Sequence, residues 1–126
     1  MSDLDDIREM NAAVGRNDIR EFVERMHPDV VWEHNPGSGS PEEGTYEGRE
    51  SIGKLFGRIL EGWEYMRPEA TEVRELGAGV YSVRGELHCK HTATENEIVE
   101  QYEQCLEIRE GLLAKGRMVI GTAAGG

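Results

Sequence analysis

The residue best suited to do chemistry is His34, which closes the run Asp29-Val30-Val31-Trp32-Glu33-His34. Imidazole exchanges its proton near neutral pH, so a histidine there could act as a general acid or base. The plainer alternative is a strand-end histidine hydrogen-bonded to the adjoining loop. His88, Cys89 and His91 gather metal-ligating types, but on a strand His88 points opposite to Cys89 and His91. That leaves at most a two-residue clip, and no metal is expected. Gly37-Ser38-Gly39 is not a phosphate loop, because no G-x-G-x-x-G or Gly-Lys-[Ser/Thr] opens the next helix. The two cysteines, Cys89 and Cys105, make neither a disulfide framework nor a supported nucleophile. No cofactor is expected.

The elements that must position His34 follow from periodicity. Leu4, Ile7, Met10, Asn11 and Val14 recur at helical spacing, with Gly15 placed to end the helix. Asn17 or Asp18 caps a second helix carrying Ile19, Phe22, Val23 and Met26, closed by His27-Pro28. A short strand over 29–34 then runs into the loop Asn35 to Pro41. Ile52, Leu55, Phe56, Ile59, Leu60 and Trp63 form one broad helical stripe. The period then changes to that of strands: 71–76, 80–92, 98–109 and 112–120, with turns at Gly77-Ala78-Gly79 and Glu110-Gly111. Helices followed by a meander predict an α+β fold, with helices on one face of a sheet. One domain spanning 1–126 is expected, its core at about 3–121 and its tail 122–126 frayed.

Two strands give different information about their faces. In 98–109 the even residues are the more apolar and should face the helices, yet they include Glu100, Tyr102 and Gln104. This suggests either a core grading into a cavity or a sheet edge open to water. In 80–92 hydrophobicity assigns the odd residues, Val83, Leu87 and Cys89 among them, to the core. Arg84 and Glu86 would then be a solvated charge pattern. Trp32, Phe56 and Trp63 either line the mouth of such a cavity or belong to the core.

Composition limits the partners. The 126 residues carry 14 Lys+Arg against 25 Asp+Glu, a formal net charge of −11. Such acidity argues against nucleic acid and anionic membrane surfaces, which need a basic footprint. The acidic N-terminus lacks an apolar signal region, and no apolar run approaches the ~18 residues of a membrane span. A cytoplasmic protein is expected.

The element order, Asp29-Val-Val-Trp-Glu-His34 followed by Asn35-Pro36-Gly37, and Tyr46-Glu-Gly-Arg-Glu-Ser-Ile52 carry a resemblance over residues 3 to 121. The chain resembles the nuclear-transport-factor-2-like superfamily, in its SnoaL-like, limonene-epoxide-hydrolase-like and ketosteroid-isomerase-like branches. The resemblance implies a cystatin-like α+β roll: a cone-shaped barrel of curled, mainly antiparallel mixed sheet around N-terminal helices, enclosing an apolar pocket. It also implies a homodimer through the outer sheet face, which would offer Val83, Leu87, Val99, Cys105 and Leu113.

By the same resemblance, His34 falls where ketosteroid isomerases place an aspartate base, and Trp32 where the hydrolases have a tyrosine. Arg84-Gly85-Glu86 is similar to the hydrolases' Arg-x-Asp pair, which turns these two residues inward against the hydrophobic pattern. Gln104 lies near the isomerases' oxyanion-hole acid, with Tyr102 two residues earlier. Met118 replaces the hydrolases' aspartate base, and Met10 and Asn11 replace the isomerases' first-helix tyrosine, so neither activity transfers intact. The expected catalytic set is therefore His34, Glu86 and Arg84, with Trp32, Phe56, Trp63, Tyr102, Gln104 and Met118 around the ligand. The ligand is expected to be a small hydrophobic molecule. The reaction expected is an isomerisation, dehydration, cyclisation or hydrolysis, and the alternatives are a non-catalytic binding protein or a dimerisation module with a vestigial pocket.

Overall fold

A computed structural model describes residues 2–121; the expected frayed tail lies outside them. Helix α1 (Asp3–Gly15) begins at Ser2, which caps it in a reciprocal box with Asp5. Asp18 accepts from the Glu21 backbone and opens α2 (Ile19–Glu24), which ends before Met26 rather than carrying it. Then follow β1 (Met26–His34), β2 (Gly44–Glu47), α3 (Arg49–Glu61), β3 (Trp63–Gly77), β4 (Val80–His91), β5 (Glu97–Arg109) and β6 (Leu112–Ile120).

The strands form one sheet in the order β2-β1-β6-β5-β4-β3. Its pairs are antiparallel except β1 with β6, which run parallel. The fold is thus the expected α+β arrangement with a mixed sheet, but the sheet is open, with β2 and β3 as edges, and not a closed barrel. Strand β3 starts at Trp63, eight residues before the expected Thr71. Its first half holds Pro68 among charged residues, a sequence tolerated because an edge strand need not donate on both sides.

Hydrophobicity assigned the faces of β4 correctly. Val83, Leu87 and Cys89 are buried; Arg84 is exposed and Glu86 half-exposed on the other face. Register joins Val83 to Gln104 and Gly85 to Tyr102 across β5, then Gln104 to Met118 across β6. Met118 in turn sits opposite His34 of β1. The inner face is therefore continuous from β4 to His34.

Helix α3 is anchored to the start of β1. Gly48, at φ 84°, precedes it, and Arg49 donates from Nε to the Met26 carbonyl at 2.7 Å. Phe56 of α3 meets Phe22 of α2 edge-on at 4.5 Å and Trp32 of β1 at 5.5 Å. Trp32 lies over Gly116 of β6, where a Cβ would come within 2.6 Å of the indole ring. A flat aromatic at that depth needs glycine beneath it.

Candidate functional site

His34 ends β1 on the inner face and is 3% exposed. Trp32, two residues earlier on the same face, donates its indole Nε1–H to His34 Nδ1 at 3.2 Å. Indole nitrogen can only donate, so Nδ1 keeps its lone pair and the neutral ring carries its proton on Nε2. Burial pushes the imidazole down to about 4, against a smaller opposing pull from the Glu42 charge. At neutral pH His34 is thus an uncharged donor through Nε2, which has no protein acceptor among the described residues.

His34 borders a cavity between the three helices and the sheet, shared with Trp32, Phe56, Gln104, Met118 and Asn11. Its volume is about 20 Å³, room for roughly one water. Besides His34, its polar wall is an amide pair. Asn11 Nδ2 donates to Gln104 Oε1 at 3.4 Å, and Gln104 Nε2 donates back to Asn11 Oδ1 at 3.3 Å. Gln104 Nε2 also lies 3.9 Å from Met118 Sδ. Among the described residues none that lines the cavity is acidic.

The structure therefore brings together five of the nine expected site residues, namely Trp32, His34, Phe56, Gln104 and Met118. It does not bring in Arg84 and Glu86. Both project from the outer face, where Arg84 Nε lies 3.7 Å from Glu103 and Glu86 lies 3.7 Å from His88 Nε2. The apolar odd residues of β4 occupy the inner face, and alternation sends the even ones outward. Trp63 is half-buried and packs edge-on against His91 at 5.1 Å, away from the cavity. Tyr102 is buried but does not line the cavity; its hydroxyl has no partner among the described residues and is pushed up to about 12 by burial. Of the three polar residues on that strand face, Glu100 is exposed to water, whereas Tyr102 and Gln104 are buried, Gln104 in the cavity wall.

Of the residues expected to form an apolar outer face, Val83, Leu87 and Leu113 are buried inside, and only Val99 and Cys105 are exposed. On that outer face Glu69, Glu86 and His88 bring ligand-type atoms within 4.8 Å of one another. His88 Nε2 sits 3.1 Å from Glu69 Oε2 without the geometry of a hydrogen bond. Asn11 is the site residue that the sequence reading left unassigned. Its signal was a polar side chain on the apolar stripe of α1, four residues after Ile7.

Residues 7–116 match the family described as the SnoaL-like domain. None of the curated proteins matches the chain. Among solved structures, TerC co-crystallised with polyporic acid is 22% identical, with a TM-score of 0.82 over 98% of this chain and 94% of that one. An NTF2-like protein of unknown function from Burkholderia pseudomallei K96243 gives the same identity, coverage and TM-score. A protein of ketosteroid isomerase-like fold from Catenulispora acidiphila DSM 44928, in complex with trimethylamine, is 12% identical, with a TM-score of 0.80 over 94% of this chain and 87% of that one. The family match spans most of the chain and the likenesses fix the nuclear-transport-factor-2-like fold: the protein belongs to the SnoaL-like domain family.

Proposed function

We propose that the chain binds a small, largely apolar molecule bearing a carbonyl oxygen in the cavity at His34, and polarises that oxygen without a cofactor. The observation that carries this reading is the Trp32–His34 hydrogen bond, which leaves Nε2–H of a neutral, buried imidazole as an unused donor. Such a donor stabilises negative charge developing on an oxygen in a site that excludes water. Isomerisation, dehydration and cyclisation of a ketone all pass through such charge. The role differs from the base expected of His34, whose only lone pair already accepts from Trp32. The small volume requires side chains to give way, and Met66 and Met118 in the wall have the unbranched flexibility for it. The small molecules named with TerC and with the Catenulispora protein support a small-molecule ligand in this fold.

A second reading, binding without turnover, is favoured by one observation: no carboxylate lines the cavity, so His34 has no acid partner there. Calorimetry with acetylnaphthalene and ethylnaphthalene, alike in shape but not in the oxygen, tests the shared part of both readings. The parent should prefer the ketone by about tenfold, the worth of one buried hydrogen bond. His34→Phe should erase the preference while still binding the hydrocarbon, and His34→Gln, which keeps a donor, should restore part of it. Equal affinity of the parent for both compounds would sink the proposal. Turnover of a ketone panel by the parent but not by His34→Phe would decide for catalysis over binding alone.

A further inference from the structure

A second concavity, of about 410 Å³, runs along the outside of the cavity between α1 and β3. Its apolar lining includes Ile7, Ala12 and Val73, and its charged residues are Arg8, Arg16 and Arg67 against Glu69 alone. Three guanidiniums around one groove stand out in a chain with 14 Lys+Arg and a net charge of −11. Arg16 is paired with Glu21, and Arg67 lies 3.5 Å from Glu69. Arg8 is exposed and forms no ion pair among the described residues. Arg67 is held in place on both sides. Its stem packs on Gly15, where a Cβ would meet Arg67 Cγ at 3.3 Å, and its guanidinium lies 5.3 Å from the centre of the Tyr65 ring. The groove and the inner cavity share a wall, since Asn11 and Pro68 line both.

We propose that this groove is the anion-binding end of the ligand site, and that the ligand is an apolar carboxylic acid. Its body occupies the inner cavity, and its carboxylate meets Arg8 and Arg67 past Asn11. The inference rests on the reading of the inner cavity as a ligand site. Guanidinium–carboxylate pairs are charge-assisted and often bidentate, so two arginines suffice to fix one end of a small acid. In a chain of net charge −11, a groove with three arginines and one carboxylate favours an anion locally. Because the arginines are exposed, the preference must weaken with salt.

The test compares naphthylbutanoate with its methyl ester by calorimetry on the full chain, at low and high salt. The parent should bind the acid about tenfold tighter than the ester at low salt, and the gap should narrow at high salt. Arg8→Gln and Arg67→Gln should each shrink the preference, and the double variant should abolish it while ester affinity holds. Arg109→Gln removes the same charge at the far end of β5 and should leave the preference intact. Equal affinities in the parent, tighter binding of the ester, or an unchanged preference in the double variant would overturn the carboxylate inference and leave the inner-cavity reading standing. Failure of the parent to bind either compound would overturn both.

Discussion

At the scale of single residues, two ring nitrogens divide the work of His34. Nδ1 is taken by Trp32 and Nε2 is free, so the function of the histidine is decided by its neighbour two residues earlier. The depressed basicity of the ring has a consequence for stability. The folded ring titrates at about 4 and the unfolded one near 6.5, so the unfolded state takes up a proton first as pH falls. Stability from this group is therefore complete above pH 6.5 and is lost as pH drops toward 4. The loss should amount to about 3 kcal/mol for a shift of this size. Denaturant unfolding of the parent and of His34→Gln across that window measures it. The variant, which cannot titrate there, should have a flatter profile by that amount, and parallel profiles would contradict the depressed value. The residue type and its strand-end position were legible in the sequence. Its tautomer was not, because that depends on the side-chain geometry of Trp32, a residue whose own pattern reads first as core.

At the scale of elements, the site is built where α1 crosses the inner face of β5. Asn11 and Gln104 exchange two hydrogen bonds in a buried setting, so each satisfies the other. Removing one side leaves a buried amide without its partner, whereas replacing both with apolar groups of similar size removes the need. Asn11→Leu and Gln104→Leu should each destabilise the fold by about 1–3 kcal/mol, and the double variant by clearly less than their sum. A double-mutant cycle by chemical denaturation reads the coupling, and additive losses would mean that the pair is not a unit. Much of this layer was readable from alternation alone. Val83, Leu87 and Cys89 inside, with Arg84 and Glu86 outside, follow the period of β4 directly. The resemblance pointed the other way because it transferred a residue pair from relatives without the local hydrophobic pattern to support it. The short β2 and the first half of β3 were hidden for a different reason. Gly44-Thr45-Tyr46-Glu47 is too short for a period to emerge, and the charges around Pro68 mask an edge strand that buries Met66 and packs Trp63 against the core.

At the scale of the whole molecule, the acidity noted first in the composition becomes directional. Charges of both signs mark the outer sheet face and acids the helix starts, while the three arginines of the α1–β3 groove lie at a concavity that shares a wall with the inner cavity. The outer face, with Arg84, Glu86 and Glu103 around Val99 and Cys105, keeps two of the five apolar residues expected there among charges for a homodimer. Among the described residues no helix is long and apolar enough to cross a membrane. The central claim remains the state of His34 and what its free nitrogen does. Long-range ¹H–¹⁵N correlation spectra of the imidazole at neutral pH, with and without acetylnaphthalene, test it most directly. The account predicts a neutral ring protonated on Nε2, with Nδ1 unprotonated, and a shift of the Nε2 resonance when the ketone is added. A ring protonated on both nitrogens, a proton on Nδ1, or an Nε2 signal unmoved by the bound ketone would contradict it.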